Sequence, residues 1–232
     1  MASSTPSSTP ASGASSRSAA ASGARAQASA HSVPAAPRGR GRPREFDMDY
    51  ALDQAVGVFC ERGYHATSIA DLTGAMHLAA GSVYKAFADK RAVFLAALER
   101  YTQVSAEKLR LRLAAGRSGR ERVHIALNYY AECACGAQGR RGCLVIGGAA
   151  ELGTFDAEVA RRVTAALQRI DKLMAELIRQ GQADGSIAPT LDAATIARLM
   201  LCLLQGMRVV GKTGRSRAEM AAVADAAMQL LG

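Results

Sequence analysis

The chain has 232 residues, 49% of them hydrophobic, enough to bury a core as one large domain or two small ones. It has no tryptophan, and Ala, Leu, Arg, Met and Glu recur at helical spacing without β-branched alternation, which predicts an all-α protein. The net charge of +9 is uneven: residues 1–44 carry six arginines and no acid, residues 45–110 seven basic and nine acidic side chains, and residues 111–232 sixteen and eleven.

Five cysteines without C-x2-C spacing argue against a zinc site or a disulfide framework and point to a reducing, cytoplasmic setting. Cys133 and Cys135 would stand roughly 200° apart on a helix, poorly placed to share a metal. No metal or cofactor is expected. No stretch reads as a membrane span, and no apolar run marks a secretory signal, although Ala28-Ser29-Ala30 resembles a cleavage site.

Residues 1–37 are low-complexity Ser, Ala, Pro and Gly, which predicts a disordered arm; an acid-free, Arg-containing organellar leader is the competing reading. The following Arg38-Gly39-Arg40-Gly41-Arg42-Pro43-Arg44 is slim and cationic. Such a strip suits a narrow, A·T-rich minor groove, with Arg40, Arg42 and Arg44 as its contacts, or serves only as a basic linker.

Asp47 is placed to cap a first helix with an apolar stripe of Leu52, Ala55, Val56 and Phe59, ending at Gly63. A second helix starts near Thr67 or Ser68, where Ser68-x-x-Asp71 forms a capping-box pattern and Ile69, Leu72 and Met76 face inward. A break falls at His77-Leu78, and a third helix covers about 79–87. Asp89 caps a fourth through Val93, Phe94, Ala97, Leu98 and Tyr101. Further helices are predicted over about 119–136, 143–152, 156–181, 191–212 and 216–231.

Two short helices around a tight break make a helix-turn-helix over about 68–87, a size that fits the DNA major groove. Gly81 and Ser82 would let backbone approach DNA, while Ser82, Tyr84 and Lys85 would meet base edges and phosphates. Val83 and Phe87 would face inward. Thr67 and Ser68 are candidate phosphate donors at a helix start, and Lys90 a candidate backbone contact.

These residues carry a specific likeness. Residues 42–101 resemble the DNA-binding domain of the tetracycline-repressor (TetR-like) family of bacterial transcription regulators. TSIADL, AMHLAAGSVYKAF and ADKRAVF stand where the family shows T-S-x-x-D/E-I/L-A, A-G-V-S-x-G-T/S-L/I-Y-x-H/Y-F and a Lys-Glu-type start to the fourth helix. His77 replaces a usual Gly, Ala79 a usual Ser or Thr cap, and Ala80 a frequent Lys or Arg. The likeness implies a DNA-binding head over 45–105 and a helical ligand-binding and dimerisation domain over 106–232.

It further implies a homodimer on double-stranded operator DNA, released by a small-molecule effector. Ile196, Leu199, Leu203 and Met207 lie in a segment apolar most of the way round, and Ala222 and Ala226 give the last helix a small-residue face, so these are the candidate dimer contacts. Tyr129, Tyr130, Glu151, Phe155 and Met174 are candidate pocket residues, each equally readable as core or surface. The ordinary reading of Cys143 is an inert buried thiol; because it follows Arg140, Arg141 and Gly142 near a helix start, a setting that favours a thiolate, it is also a candidate electrophile or redox sensor. His31, His65, His77 and His124 are scattered and form no catalytic constellation, so no enzyme is expected. An architectural DNA binder working through the arginine arm is the alternative function.

Each phosphate neutralised contributes about 0.9 to the log–log salt slope of binding. Deleting residues 1–44 is therefore expected to flatten that slope in a titration from low to physiological salt. An unchanged slope would remove the arm from the interface.

Overall fold

A computed structural model describes residues 47–232; the arm, with Arg40, Arg42 and Arg44, lies outside the described residues. Every regular element among the described residues is helical: α1 Met48–Arg62, α2 Ile69–Met76, α3 Ala80–Ala86, α4 Lys90–Leu113, α5 Gly119–Cys133, α6 Gly136–Arg141, α7 Leu144–Glu151, α8 Ala157–Ala183, α9 Ala193–Val210 and α10 Arg217–Met228. Single 3₁₀ turns follow at Gly211–Thr213 and Gln229–Leu231.

Side-chain caps start most of these helices. Asp47, Ser68, Asp89, Ser118, Asp156, Asp192 and Ser216 each accept from first-turn amides that the helix leaves unpaired. Helices α3, α6 and α7 begin without a side-chain cap and depend on packing. The single helix expected over 119–136 is corrected. α5 stops at Cys133 and a separate α6 follows, bracketed by Gly136 (φ 58°) and Gly142 (φ 98°), whose left-handed backbone turns the chain twice.

Two buried clusters hold the molecule together. The first joins Ala55, Phe59, Leu72, Met76, Val83, Phe94 and Leu98 from α1–α4 to Leu144 and Val145 of α7 and Val159 and Val163 of α8. Phe59 and Tyr64 meet the Phe94 ring edge-on at centroid distances of 5.1 and 5.3 Å. The second packs α5, α8, α9 and α10 around Leu127, Met174, Ile178, Met200, Leu204, Met220 and Leu231. α4 runs unbroken past residue 105, and the head's core takes in α7 and the start of α8. The division between head and body is thus shared packing rather than a linker.

Residues Ala193–Thr213 are long and apolar enough to cross a membrane, contrary to the sequence reading. The cause is visible in the fold: Met200, Leu204 and Met207 face the body's core, while Leu199, Val209 and Val210 on other faces are also apolar but exposed.

Head and body also meet through charge. Asp156, the α8 cap, accepts from the amides of Glu158 and Val159 at 3.0 and 3.1 Å and pairs with Arg91 of α4, whose Nη2 lies 2.8 Å from Oδ1. Hydrogen bonds from Arg91 and then from the Val159 amide hold its carboxyl down at about 2. The stabilisation is complete above the ordinary carboxylate range and is lost as pH falls through about 2. Asp156→Ala is expected to cost about 1 kcal/mol at neutral pH. Thermal melts of both proteins should show the gap closing as pH falls through about 2.

Candidate nucleic-acid interface

The turn between α2 and α3 is set by His77, the one non-glycine residue with positive φ among the described residues (φ 55°, ψ 40°). Its amide and that of Leu78 bond back to the end of α2, at Gly74 O (3.3 Å) and Thr73 O (3.0 Å). α3 then leaves at an angle and buries Val83 against Leu72 and Met76 of α2 and the α1 and α4 side chains, with Phe87 packed at the edge. Ala79 occupies the cap position of α3 with no side-chain bond to offer. Ala80, Gly81, Tyr84 and Lys85 form the exposed face, and Ser82 is half-buried beside it. Tyr84 is 56% exposed, and a Cβ added at Gly81 would meet nothing within 4 Å. This open, small-residue start with polar tips one turn later leaves room for a nucleic-acid backbone.

Three sequence candidates are committed elsewhere. Thr67 is buried, and its hydroxyl donates to Gly63 O at 2.6 Å instead of reaching outward. Ser68 donates its amide and hydroxyl to Asp71 Oδ2 at 2.9 and 2.7 Å and accepts from the Asp71 amide at 3.1 Å. That box, with Arg62 beside it, holds the Asp71 carboxyl below the usual carboxylate range, the Ser68 backbone bond being the largest cause. Lys90 turns inward: Nζ donates to Tyr64 O and Thr67 O at 2.9 and 2.8 Å and sits 4.4 Å from the Tyr64 ring centroid. It closes the α1–α2 loop onto α4.

Glu151 does related work from the other side. Its Oε2 accepts from the His65 amide at 3.0 Å, and its carboxylate lies against Gly63 (φ 78°), where a Cβ would stand 2.3 Å from Oε1. Far from anchoring a ligand, Glu151 latches the body's α7 to the head's first loop. Phe155, another pocket candidate, is 85% exposed in the α7–α8 loop.

Two family models match: "Bacterial regulatory proteins, tetR family" over residues 51–97, and "Tetracyclin repressor-like, C-terminal domain" over residues 119–227. The HTH-type transcriptional repressor ComR of Escherichia coli (strain K12) is 30% identical over 203 residues, covering 86% of this chain and 95% of ComR. The chain belongs to the TetR family.

Among solved structures, a cysteine mutant of the TetR family transcriptional regulator CifR, complexed with 26-base-pair double-strand operator DNA, is 34% identical to it. The match has a TM-score of 0.72 and covers 82% of this chain and 100% of that one. A TetR-family regulator from Agrobacterium tumefaciens, 17% identical with a TM-score of 0.71, shares the fold. The TetR family is one of DNA-binding transcription regulators, and α2–α3 is its helix-turn-helix in this chain.

The remaining candidates fall in the body. Tyr129, Tyr130 and Met174 belong to its packed cluster rather than joining Glu151 and Phe155 around one space. The two tyrosine rings meet edge-on at 5.6 Å, Tyr129 Oη donates to Ser105 O at 3.3 Å, and burial pushes the Tyr129 hydroxyl up to about 12. A separate open cleft of about 510 Å³ is lined by Glu132, Cys135, Arg140, Arg215 and Arg217, none of them among the pocket residues expected from the sequence. Met207 is buried in its own chain's core, and Ile196 and Leu203 are half-buried against it. Leu199, Ala222 and Ala226 are exposed. Cys143 is the N-cap residue of α7, half-buried, with Tyr101 Oη 3.5 Å from its sulfur.

Lys85 and Lys90 should separate cleanly. Lys85→Ala is expected to weaken DNA binding on every sequence and lower the salt slope by about 0.9 per protomer bound, without changing the melting temperature. Lys90→Ala should instead cost about 2 kcal/mol of stability, by loss of bonds from a charged donor. Binding isotherms and thermal melts on the same samples check both.

Proposed function

We propose that this TetR-family protein is a homodimeric repressor that reads a palindromic operator through α3 and is released by a small molecule or by an electrophile or oxidant acting at Cys143. The observation that carries the DNA-reading part is the exposed face of α3, Gly81, Tyr84 and Lys85, on a head whose neighbouring hydroxyls and Lys90 are tied up internally. The operator complex of the similar regulator CifR supports the same reading.

A single seven-residue helix spans only a few base pairs, so a symmetric pair is needed to reach a full site. The surface for pairing is a stripe rather than the full set of sequence candidates. Leu199, Cys202, Gly206 and Val209 recur at three- and four-residue steps along α9; Ala222, Ala226 and Leu230 recur at four-residue steps along α10 and the 3₁₀ turn after it, with Val223 beside them, all exposed. An apolar face of this kind, left bare on both helices, suits self-association. Ile196, Leu203 and Met207 support it from beneath.

In vitro selection from genomic DNA with the full-length protein at physiological salt is expected to return a short inverted repeat. Broad A·T-rich enrichment without a repeat would instead favour an architectural binder led by the arginine arm. Val209→Glu should give a monomer by light scattering and lose the repeat; a dimer that keeps binding would place the interface elsewhere.

A further inference from the structure

Arg208 of α9 is 4% exposed, yet no carboxylate of the described residues forms an ion pair with it. Its guanidinium donates to Cys133 O at the end of α5, to Gly142 O at 2.9 Å before α7, and to Tyr101 Oη of α4 at 3.0 Å. Tyr101 in turn stands with its hydroxyl 3.5 Å from Cys143 Sγ, so the phenol bridges the guanidinium and the sulfur. A buried cation whose partners are carbonyls and a phenol still needs a negative charge nearby. Cys143 is the thiol that the Tyr101 hydroxyl places in line with the guanidinium.

The surroundings narrow the choice further. Burial pushes the Cys60 thiol of α1 up to about 12 and raises those of Cys133 and Tyr130 on α5 and the Tyr101 hydroxyl on α4, so all four hold their protons. Arg141 of α6 is paired with Glu61 at 2.9 Å. Lys212, after α9, lays its side chain against Gly142 and adds a second positive group. Arg208 stays charged despite its burial, as a guanidinium does throughout the accessible pH range, with two carbonyls and a phenol as its partners.

We propose that Arg208 is the positioning cation of a Cys143 thiolate, with the Tyr101 hydroxyl sharing the sulfur's charge, so that this trio makes Cys143 the reactive thiol of the protein. The proposal rests on the electrophile-responsive reading above and extends it to residues outside the sequence motif. With an alkylating electrophile such as iodoacetamide, the thiolate forms the S–C bond and iodide leaves with the C–I electron pair. The product is a neutral thioether. Arg208 then loses its counter-charge at the point where α4, α5, α7 and α9 meet, which couples the thiol to the helix that carries the head.

The test is the rate of Cys143 alkylation by iodoacetamide across pH, followed by peptide mass spectrometry on the full-length protein. Arg208→Gln is expected to slow alkylation at neutral pH by at least about tenfold, the equivalent of one pH unit in thiolate population, and to move the whole profile to higher pH. Arg208→Lys, which keeps the charge, should recover part of the rate. Tyr101→Phe keeps the ring, removes the donor, and should shift the profile the same way; it decides the matter if Arg208→Gln does not fold. Profiles unmoved in these variants would overturn the assignment. Wild-type protein fully alkylated at Cys143 yet still bound to its selected operator would instead overturn the electrophile-release reading, leaving the role of Arg208 intact.

Discussion

The seven-residue α3 has no stability of its own, because so short a helix never repays its nucleation in water. It also lacks a side-chain cap at Ala79. Its position is therefore a property of what it packs on. Val83 is the buried peg, and Leu72, Met76, Phe59 and Phe94 form the socket. The angle at which α3 leaves that socket is set by His77 in the left-handed region, a conformation with a cost for any residue bearing a Cβ. The exposed face of α3, proposed to meet DNA, is the outer side of this small arrangement, and anything that shifts the socket moves that face.

The socket is not closed by the head alone. α4 passes from it into the body as one 24-residue helix, and α7 and the start of α8 complete its core. Polar contacts tighten the same joint from several sides: Lys90 on the Tyr64 and Thr67 carbonyls, Glu151 on the His65 amide, Asp156 on Arg91 and Arg141 on Glu61. Packed cores move by switching between arrangements more readily than by gradual deformation. A joint built this way is suited to carry a change of state at α7 or α9 to the reading helix. The buried Arg208 sits where those elements meet, with Tyr101 of α4 among its partners.

Several polar residues show why reading a site from its residue types alone misplaces them. Thr67, Ser68 and Lys90 sit beside the reading helix in sequence, with donors suited to phosphate. The fold turns those donors onto Gly63, Asp71 and the α1–α2 loop instead. Glu151, in an apolar stretch, invites a ligand role but closes a backbone amide left open by the turn at Gly63. In each case the same side chain serves either purpose, and only the nearest unpaired backbone group decides. Arg208 is the opposite case: it is a lone charge in an apolar helix, and one residue of rotation, about 100°, carries the chain from the core position of Met207 to the buried polar cluster.

The all-helical class, the caps at Asp47, Ser68 and Asp89, the break at His77 and the inward face of Val83 were all legible in the sequence, because each follows from local backbone chemistry within a few residues. The likeness of residues 42–101 to the TetR head was legible for the same reason. The separate α6, the sharing of the head's core with α7, the exposed stripe along α9 and α10 and the Cys143–Tyr101–Arg208 cluster were not. These depend on which distant faces meet, with Tyr101 and Arg208 separated by 107 residues. Sequence periodicity records that a face is apolar or polar; only tertiary packing assigns its partner.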